Sequence, residues 1–137
     1  MRPKCVPCAG GIVFDDARRL LVIRRGTPPS AGLWSIPGGR CQPGEPPATA
    51  CVREVAEETG LRVQVDRHAG RVSRPGPGGV VYEIDDFVCS VLDGDLEAAS
   101  DASAARWVTA SELASLALVP GLLDALATWG LLPTGPT

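Results

Sequence analysis

No apolar run in this 137-residue chain approaches the roughly 18 to 20 residues needed to cross a bilayer. The opening Met1-Arg2-Pro3-Lys4-Cys5 leads into no apolar stretch of the signal-peptide kind. The expectation is therefore a soluble, cytoplasmic protein without a membrane partner. No Lys/Arg run is longer than a pair, and the formal net charge is -3. That balance argues against a partner bound by neutralising a nucleic-acid backbone. Histidine occurs once, as His68, so the lone C-x-x-C of Cys5 and Cys8 has no evident further ligands for zinc. The five cysteines (Cys5, Cys8, Cys41, Cys51, Cys89) show no disulfide-framework spacing, and an odd count in a chain read as non-secreted implies reduced thiols. Internal repeats and low-complexity segments are also lacking.

What is present suits one compact domain over residues 1–137, with 45% hydrophobic residues to fill a core. Cys8 to Phe14 and Leu20 to Arg24 read as strands around the turn-like Asp15-Asp16-Ala17-Arg18-Arg19, together a hairpin. From Gly26 to Pro47 the composition shifts to Gly, Pro and Ser, the mark of a long ordered loop, and such loops are usually functional. Pro46-Pro47 can start a helix whose apolar stripe is Ala48, Val52, Val55 and Ala56, with Gly60 as its C-terminal stop. Arg62 to Val65, Gly79 to Val91 and Ala105 to Val108 read as further strands, with a loop over Arg74 to Gly79. Thr109 and Glu112 have capping-box spacing, which predicts helices over Ser111 to Leu118 and Gly121 to Trp129, divided by Pro120. Residues 133–137 are expected to fray. Strands interleaved with few helices imply an α/β fold, a mixed sheet with helices on its faces.

The chemistry concentrates on the first helix. Glu54, Glu57 and Glu58 stand at i, i+3 and i+4, so their carboxylates project from one face and repel one another by a few tenths of a kcal/mol per pair. A divalent cation would remove that cost, and Mg²⁺ favours oxygen ligands and substrate phosphates. Arg53 lies four residues before Glu57, within ion-pair reach, and Glu45 stands at the helix entrance where it can anchor the guanidinium. A Glu-rich helix face is more often simply solvated.

The flanking residues decide otherwise. Gly39, Glu45, Arg53, Glu54, Val55, Glu57, Glu58, Gly60 and Leu61 read G-x5-E-x7-R-E-U-x-E-E-x-G-U, where U is a bulky aliphatic. Seven identities and two aliphatic positions fall at set spacings over 23 residues. The pattern resembles the Nudix box at every fixed position, and the Leu-Trp-Ser-Ile-Pro-Gly-Gly segment before it is also similar to small Nudix enzymes. The resemblance implies an α/β/α sandwich with a mixed, curved sheet. It implies that Glu54, Glu57 and Glu58 bind Mg²⁺, with Mn²⁺ as a substitute, that the Gly38 carbonyl adds an oxygen ligand, and that Arg53 with Glu45 orients the carboxylates.

By the same resemblance the substrate is a nucleotide-derived small molecule whose pyrophosphate linkage is attacked by water. The general base is Glu54 or Glu57, or a carboxylate from a loop beyond the box, where Asp101 stands. Asp95, Glu97 and Asp101 read equally as a solvated acidic loop. Arg24 and Arg25 end a strand near the loop and can reach a substrate phosphate, although strand-end arginines are more often solvated. Trp34 can stack on a base, with core packing the commoner role. Pro77 stands sixteen residues beyond Leu61, a spacing common in the ADP-ribose pyrophosphatase subgroup, which makes ADP-ribose, split to AMP and ribose 5-phosphate, the leading substrate. The alternatives are a MutT-like nucleoside triphosphate pyrophosphatase and a non-catalytic nucleotide-sugar sensor. The terminal leucines and valines suit a homodimer as well as a monomer core.

Overall fold

The computed structural model describes residues 4–27, 30–98 and 102–134. Seven strands and three helices follow in the order β1 (Cys5–Val13), β2 (Leu20–Arg25), β3 (Trp34–Ser35), β4 (Gly38–Arg40), α1 (Pro47–Thr59), β5 (Arg62–Pro75), β6 (Val81–Asp93), β7 (Ala102–Val108), α2 (Ala110–Ser115) and α3 (Leu122–Thr128). They form two sheets, a four-stranded one in the order β4-β1-β6-β5 and a three-stranded one in the order β3-β2-β7. In the first, β1 runs parallel to β6 and antiparallel to β4, while β5 and β6 form a long antiparallel pair joined by a 3₁₀ turn at Pro77–Gly79. The second sheet is antiparallel throughout.

This is the α/β architecture expected, with a mixed sheet and helices against it, but the first two strands do not form a hairpin. Both edges of β1 are taken, one by β4 and the other by β6, so β2 has no ladder to join. At their junction only an isolated bridge forms, Phe14 to Leu20. The turn between is held as its composition suggested: the Asp15 carboxylate accepts the backbone N–H groups of Ala17 and Arg19 and pairs with the Arg19 guanidinium.

Two apolar clusters hold the layers together. Ala9, Val13, Leu21, Ala50, Cys51, Val55, Val63 and Phe87 pack beneath α1. Ile12, Leu20, Val22, Ile36, Val108, Leu113, Leu122 and Leu126 pack beneath α2 and α3. Strand β2 serves both, since Leu20 to Ile23 are all buried and alternate side chains point to opposite faces. Burying each such side chain stabilises the fold by about 1.5–3 kcal/mol.

Helix α1 begins as the two prolines dictate, with Pro46 at the cap and Pro47 inside the first turn, and stops where Gly60 takes a φ of 76° and closes on the Ala56 carbonyl. Its buried stripe is rotated from the expected one. Ala50, Cys51, Val55, Glu58 and Thr59 face inward, Ala48 and Val52 are half-buried, and Ala56 is exposed. Apolar counting passed over Glu58 and Thr59 because both are polar; each is buried with a hydrogen-bond partner of its own. The capping box at Thr109 and Glu112 forms with both reciprocal bonds. Pro133 is buried and Thr134 exposed, and residues 135–137 of the tail expected to fray lie outside the described set. No helix among the described residues is long and apolar enough to cross a membrane.

Candidate catalytic and metal-binding site

Helix α1 packs on β1 beside the short strand β4, and this places its carboxylates against the Gly38-Gly39-Arg40 backbone. A Cβ on Gly39 would lie 2.7 Å from Glu54 Oε1 and 2.8 Å from Oε2, inside contact distance. Only a glycine leaves that cradle open for the carboxylate. Glu58 points inward, 5% exposed, and its Oε1 accepts the Gly38 N–H at 2.8 Å. Glu57 points outward, its side chain 46% exposed.

Arg53 organises the group. Its Nε and Nη2 donate to Glu45 Oε2 and Oε1, each at 2.8 Å, while Nη1 donates to Glu54 at 3.0 Å and to both Glu57 oxygens at 3.2 Å. Nη2 also reaches the Arg40 carbonyl at 3.1 Å, which ties the helix to the loop. The guanidinium fork matches a carboxylate with two parallel bonds, a geometry that a lysine lacks. These hydrogen bonds, with one from the Gln42 N–H, hold the Glu45 carboxyl down to about 2, and they raise the Arg53 pKa in return. Arg53 therefore stays charged, and Glu45 stays ionised, throughout the working pH range.

The three glutamates do not converge on one point. Among the described residues no three His, Cys, Asp or Glu side chains form a metal-holding group, because Arg53 draws Glu54 and Glu57 together while Glu58 turns to the Gly38 amide. The donor set nonetheless suits a hard cation. All its atoms are carboxylate oxygens, two of the carboxylates are gathered by the Arg53 guanidinium, and Gly39 leaves space beside Glu54. For Gly38 the structure shows a donor role, through its N–H, in addition to the ligand role expected of its carbonyl.

Of the remaining sequence candidates, Arg24 and Arg25 are on β2 and Trp34 on β3. Arg24 donates from Nε to Ser103 Oγ at 2.9 Å and lies 5.9 Å from the centre of the Trp34 ring, with Arg106 at 6.0 Å. Trp34 is half-buried against the α2 and α3 cluster, which makes it a packing residue carrying two guanidinium contacts. Arg25 ends β2, its backbone bonded to Leu33 and Gly32. Asp101 lies outside the described residues. Cys5 and Cys8 are free thiols, one exposed and one buried. Cys5 points to Glu83 and Cys8 to the Val6 carbonyl, so they do not make a shared site.

Sequence reasoning missed three groups near β4 and β6. Arg40 donates to the Tyr82 hydroxyl at 2.8 Å and lies over its ring. Asp85 is buried and accepts from Arg71 and pairs with His68. Asp86 is buried beside it. The adjacent acidic pair in the middle of β6, next to Phe87, was the available signal, since carboxylates are almost never fully buried without a partner or a purpose.

Comparison with known proteins identifies the family. Residues 6–128 match the NUDIX domain family. The chain is 40% identical over 108 residues to a MutT-like protein of Streptomyces ambofaciens, covering 79% of this chain and 66% of that one. It is 38% identical over 109 residues to an ADP-ribose pyrophosphatase of Methanocaldococcus jannaschii, covering 78% and 63%. The chain thus spans just under two thirds of each of these two relatives. Among solved structures, a MutT NUDIX hydrolase from Burkholderia pseudomallei superposes with a TM-score of 0.81 at 24% identity, over 90% of this chain and 97% of that one. The solution structure of the E. coli ORF135 protein gives 0.74 at 27% identity, over 92% and 91%.

Proposed function

The chain belongs to the Nudix family, and on that premise we propose that it is a divalent-metal-dependent hydrolase acting on the pyrophosphate linkage of a nucleoside diphosphate joined to a further group. The observation that carries this reading is the Arg53 clamp: one guanidinium, anchored on Glu45 and the Arg40 carbonyl, gathers Glu54 and Glu57 beside the Gly39 cradle. Glu54, Glu57 and Glu58 would hold Mg²⁺, or Mn²⁺ in its place. When bound, the ion supplies charge neutralisation for the diphosphate and activation of water for attack on phosphorus.

The chain's own residues then do three things. Arg53, anchored on Glu45, holds Glu54 and Glu57 beside the loop. The Gly38 N–H fixes Glu58 against the loop. Glu54 or Glu57 takes the proton from the attacking water, and in either position Arg53 places the carboxylate.

ADP-ribose is the leading substrate, giving AMP and ribose 5-phosphate. The likeness to a relative named ADP-ribose pyrophosphatase supports it, as does Pro77, which opens the turn joining β5 and β6. A nucleoside triphosphate pyrophosphatase is the second reading, favoured by the MutT-like relative and by a shorter match to a putative 8-oxo-dGTP diphosphatase of Bacillus subtilis, 39% identical over 64 residues. The test is a product screen with Mg²⁺ across ADP-ribose, other nucleoside diphosphate sugars, dinucleoside polyphosphates and normal and oxidised triphosphates. AMP and ribose 5-phosphate at the highest kcat/KM support the first reading. Dominant pyrophosphate release selects the second, and no metal-dependent turnover at all overturns both in favour of a sensor.

A further inference from the structure

Strand β4 forms the loop side of the Arg53 clamp, yet little in its own sequence keeps it in place. It is three residues long and stands at the edge of its sheet, with β1 as its ladder partner. Two of the three residues are glycines, and packing requires both. A Cβ at Gly38 would run into the Ala9 carbonyl oxygen, and one at Gly39 would meet the Glu54 carboxylate at 2.7 Å. Glycine leaves the chain more conformational freedom than any other residue. The Glu58 carboxylate holds the first residue through the Gly38 N–H. The last, Arg40, supplies the carbonyl that Arg53 Nη2 grips. On the side of β1 that peptide unit is held by one bond at the end of the ladder, from the Cys41 N–H to the Pro7 carbonyl at 2.9 Å.

A second restraint comes from the Arg40 side chain. Arg40 stands opposite Cys8 of β1, and Cys8 stands opposite Ile84 of β6. All three share one face of the sheet, and Tyr82, two residues before Ile84, lies on it as well. From β4 the guanidinium crosses β1 to reach Tyr82, a span of roughly 10 Å, or two strand spacings. Nη2 donates to the Tyr82 hydroxyl at 2.8 Å, and Cζ lies 5.3 Å from the centre of the ring. The crossing passes Cys8, which is buried, and the Arg40 charge is close enough to oppose the rise that burial gives the Cys8 thiol. Tyr82 is a firm anchor for such a strap, because β6 is paired on both sides there, with Val6 of β1 and Arg74 of β5.

We propose that Tyr82 is a positioning residue for the metal-binding carboxylates: by fastening the Arg40 side chain across β1 it fixes the Arg40 carbonyl, and through that carbonyl the Arg53 guanidinium that gathers Glu54 and Glu57. The proposal rests on the metal-dependent reading above. The influence of Tyr82 is indirect, carried by one side chain and one backbone oxygen.

The experiment is Mn²⁺ binding to the substrate-free protein, read from the electron paramagnetic resonance signal of the free ion. Wild type, Tyr82→Phe, Tyr82→Leu, Arg53→Ala and the double variant Tyr82→Phe/Arg53→Ala are compared. Tyr82→Phe keeps the ring against the guanidinium and loses the hydrogen bond, whereas Tyr82→Leu loses both. Affinity is expected to fall about three- to tenfold in Tyr82→Phe and further in Tyr82→Leu, less than the roughly 10- to 100-fold typical of residues that orient metal ligands directly. In the Arg53→Ala background Tyr82→Phe has no further effect, because the route from Arg40 to the carboxylates is already cut. Alkylation of Cys8, followed by peptide mass, is several-fold faster in both Tyr82 variants as the strap lifts.

Thermal melting reports whether each variant folds, and Tyr82→Phe, which deletes one hydroxyl, carries the test should Tyr82→Leu fail to. Unchanged Mn²⁺ affinity in Tyr82→Phe, whether or not Cys8 is exposed, overturns the assignment and leaves the hydrolase reading standing. So does a loss of equal size with and without Arg53, which is what a general loosening of the sheet would give. A wild type that binds no Mn²⁺ overturns the metal-dependent reading and this proposal together.

Discussion

Arg53 and Glu45, eight residues apart, are joined by two parallel hydrogen bonds of 2.8 Å, one from Nε and one from Nη2. The same guanidinium touches Glu54, Glu57 and the Arg40 carbonyl. A single side chain thus ties two of the helix carboxylates, Glu54 and Glu57, to the loop.

Replacement of Arg53 should act through those carboxylates. Arg53→Ala removes the fork and lets Glu54 and Glu57 repel each other; kcat is expected to fall by about 10- to 100-fold, as for loss of a partner that orients metal ligands, with weaker Mg²⁺ dependence. Arg53→Lys keeps the charge but not the bidentate geometry, and should recover only part of the loss. A Mg²⁺ titration of activity for the two variants checks this; full recovery in Arg53→Lys would show that charge alone matters.

Glu57 is solvent-facing, and its loss should leave the fold largely intact. Glu57→Gln is expected to melt within a few degrees of the wild type yet lose several orders of magnitude in turnover, since a ligand oxygen and a charge go together. Near wild-type turnover at saturating Mg²⁺ would remove Glu57 from the ligand set.

The cradle at Gly39 gives a steric test. In Gly39→Ala the new methyl would lie 2.7 Å from the Glu54 carboxylate, well inside van der Waals contact, so Glu54 has to swing away. Activity should drop while secondary structure by circular dichroism stays the same. An active Gly39→Ala protein would mean that Glu54 does not need its observed position.

Folding stability should depend on pH through two carboxyls with opposite shifts. Burial pushes Asp86 up from 3.8 to about 7, with Arg74 and His68 opposing and Asp85 assisting. The unfolded chain releases this proton near 3.8 while the folded chain keeps it to about 7. Its contribution is therefore fully present below 3.8 and is lost as pH rises through 7. At about 1.4 kcal/mol per unit this amounts to a few kcal/mol at most. Glu45 runs the other way. Held at about 2 by Arg53, it contributes above its ordinary 4.5 and is lost as pH falls towards 2. Urea unfolding of wild type and Asp86→Asn between pH 5 and 8 separates them: the variant should lose the decline over that range. Parallel curves would place Asp86 in water rather than in the interior.

The local pattern of the site was legible in the sequence, because a helix makes neighbours of residues three and four apart and a box of fixed spacings constrains their loop. The Arg53–Glu57 pair, the Gly60 stop and the Thr109 capping box are contacts within about one helical turn, and Glu45 needed only the loop's return to the helix. The inward turn of Glu58 was not legible, since it depends on β4 presenting the Gly38 amide from twenty residues away. Nor was the failure of β1 and β2 to pair, which follows from β6, more than sixty residues downstream, taking the edge of β1. Asp86 shows the division most plainly. The chain order gives an acidic pair in the middle of β6; only the arrival of Gly10, Gly70, Ile36 and Trp129 from four other segments leaves one of its oxygens buried without a partner. Sequence fixes what chain neighbours can do to one another, and burial by distant segments decides which polar groups are left without a partner.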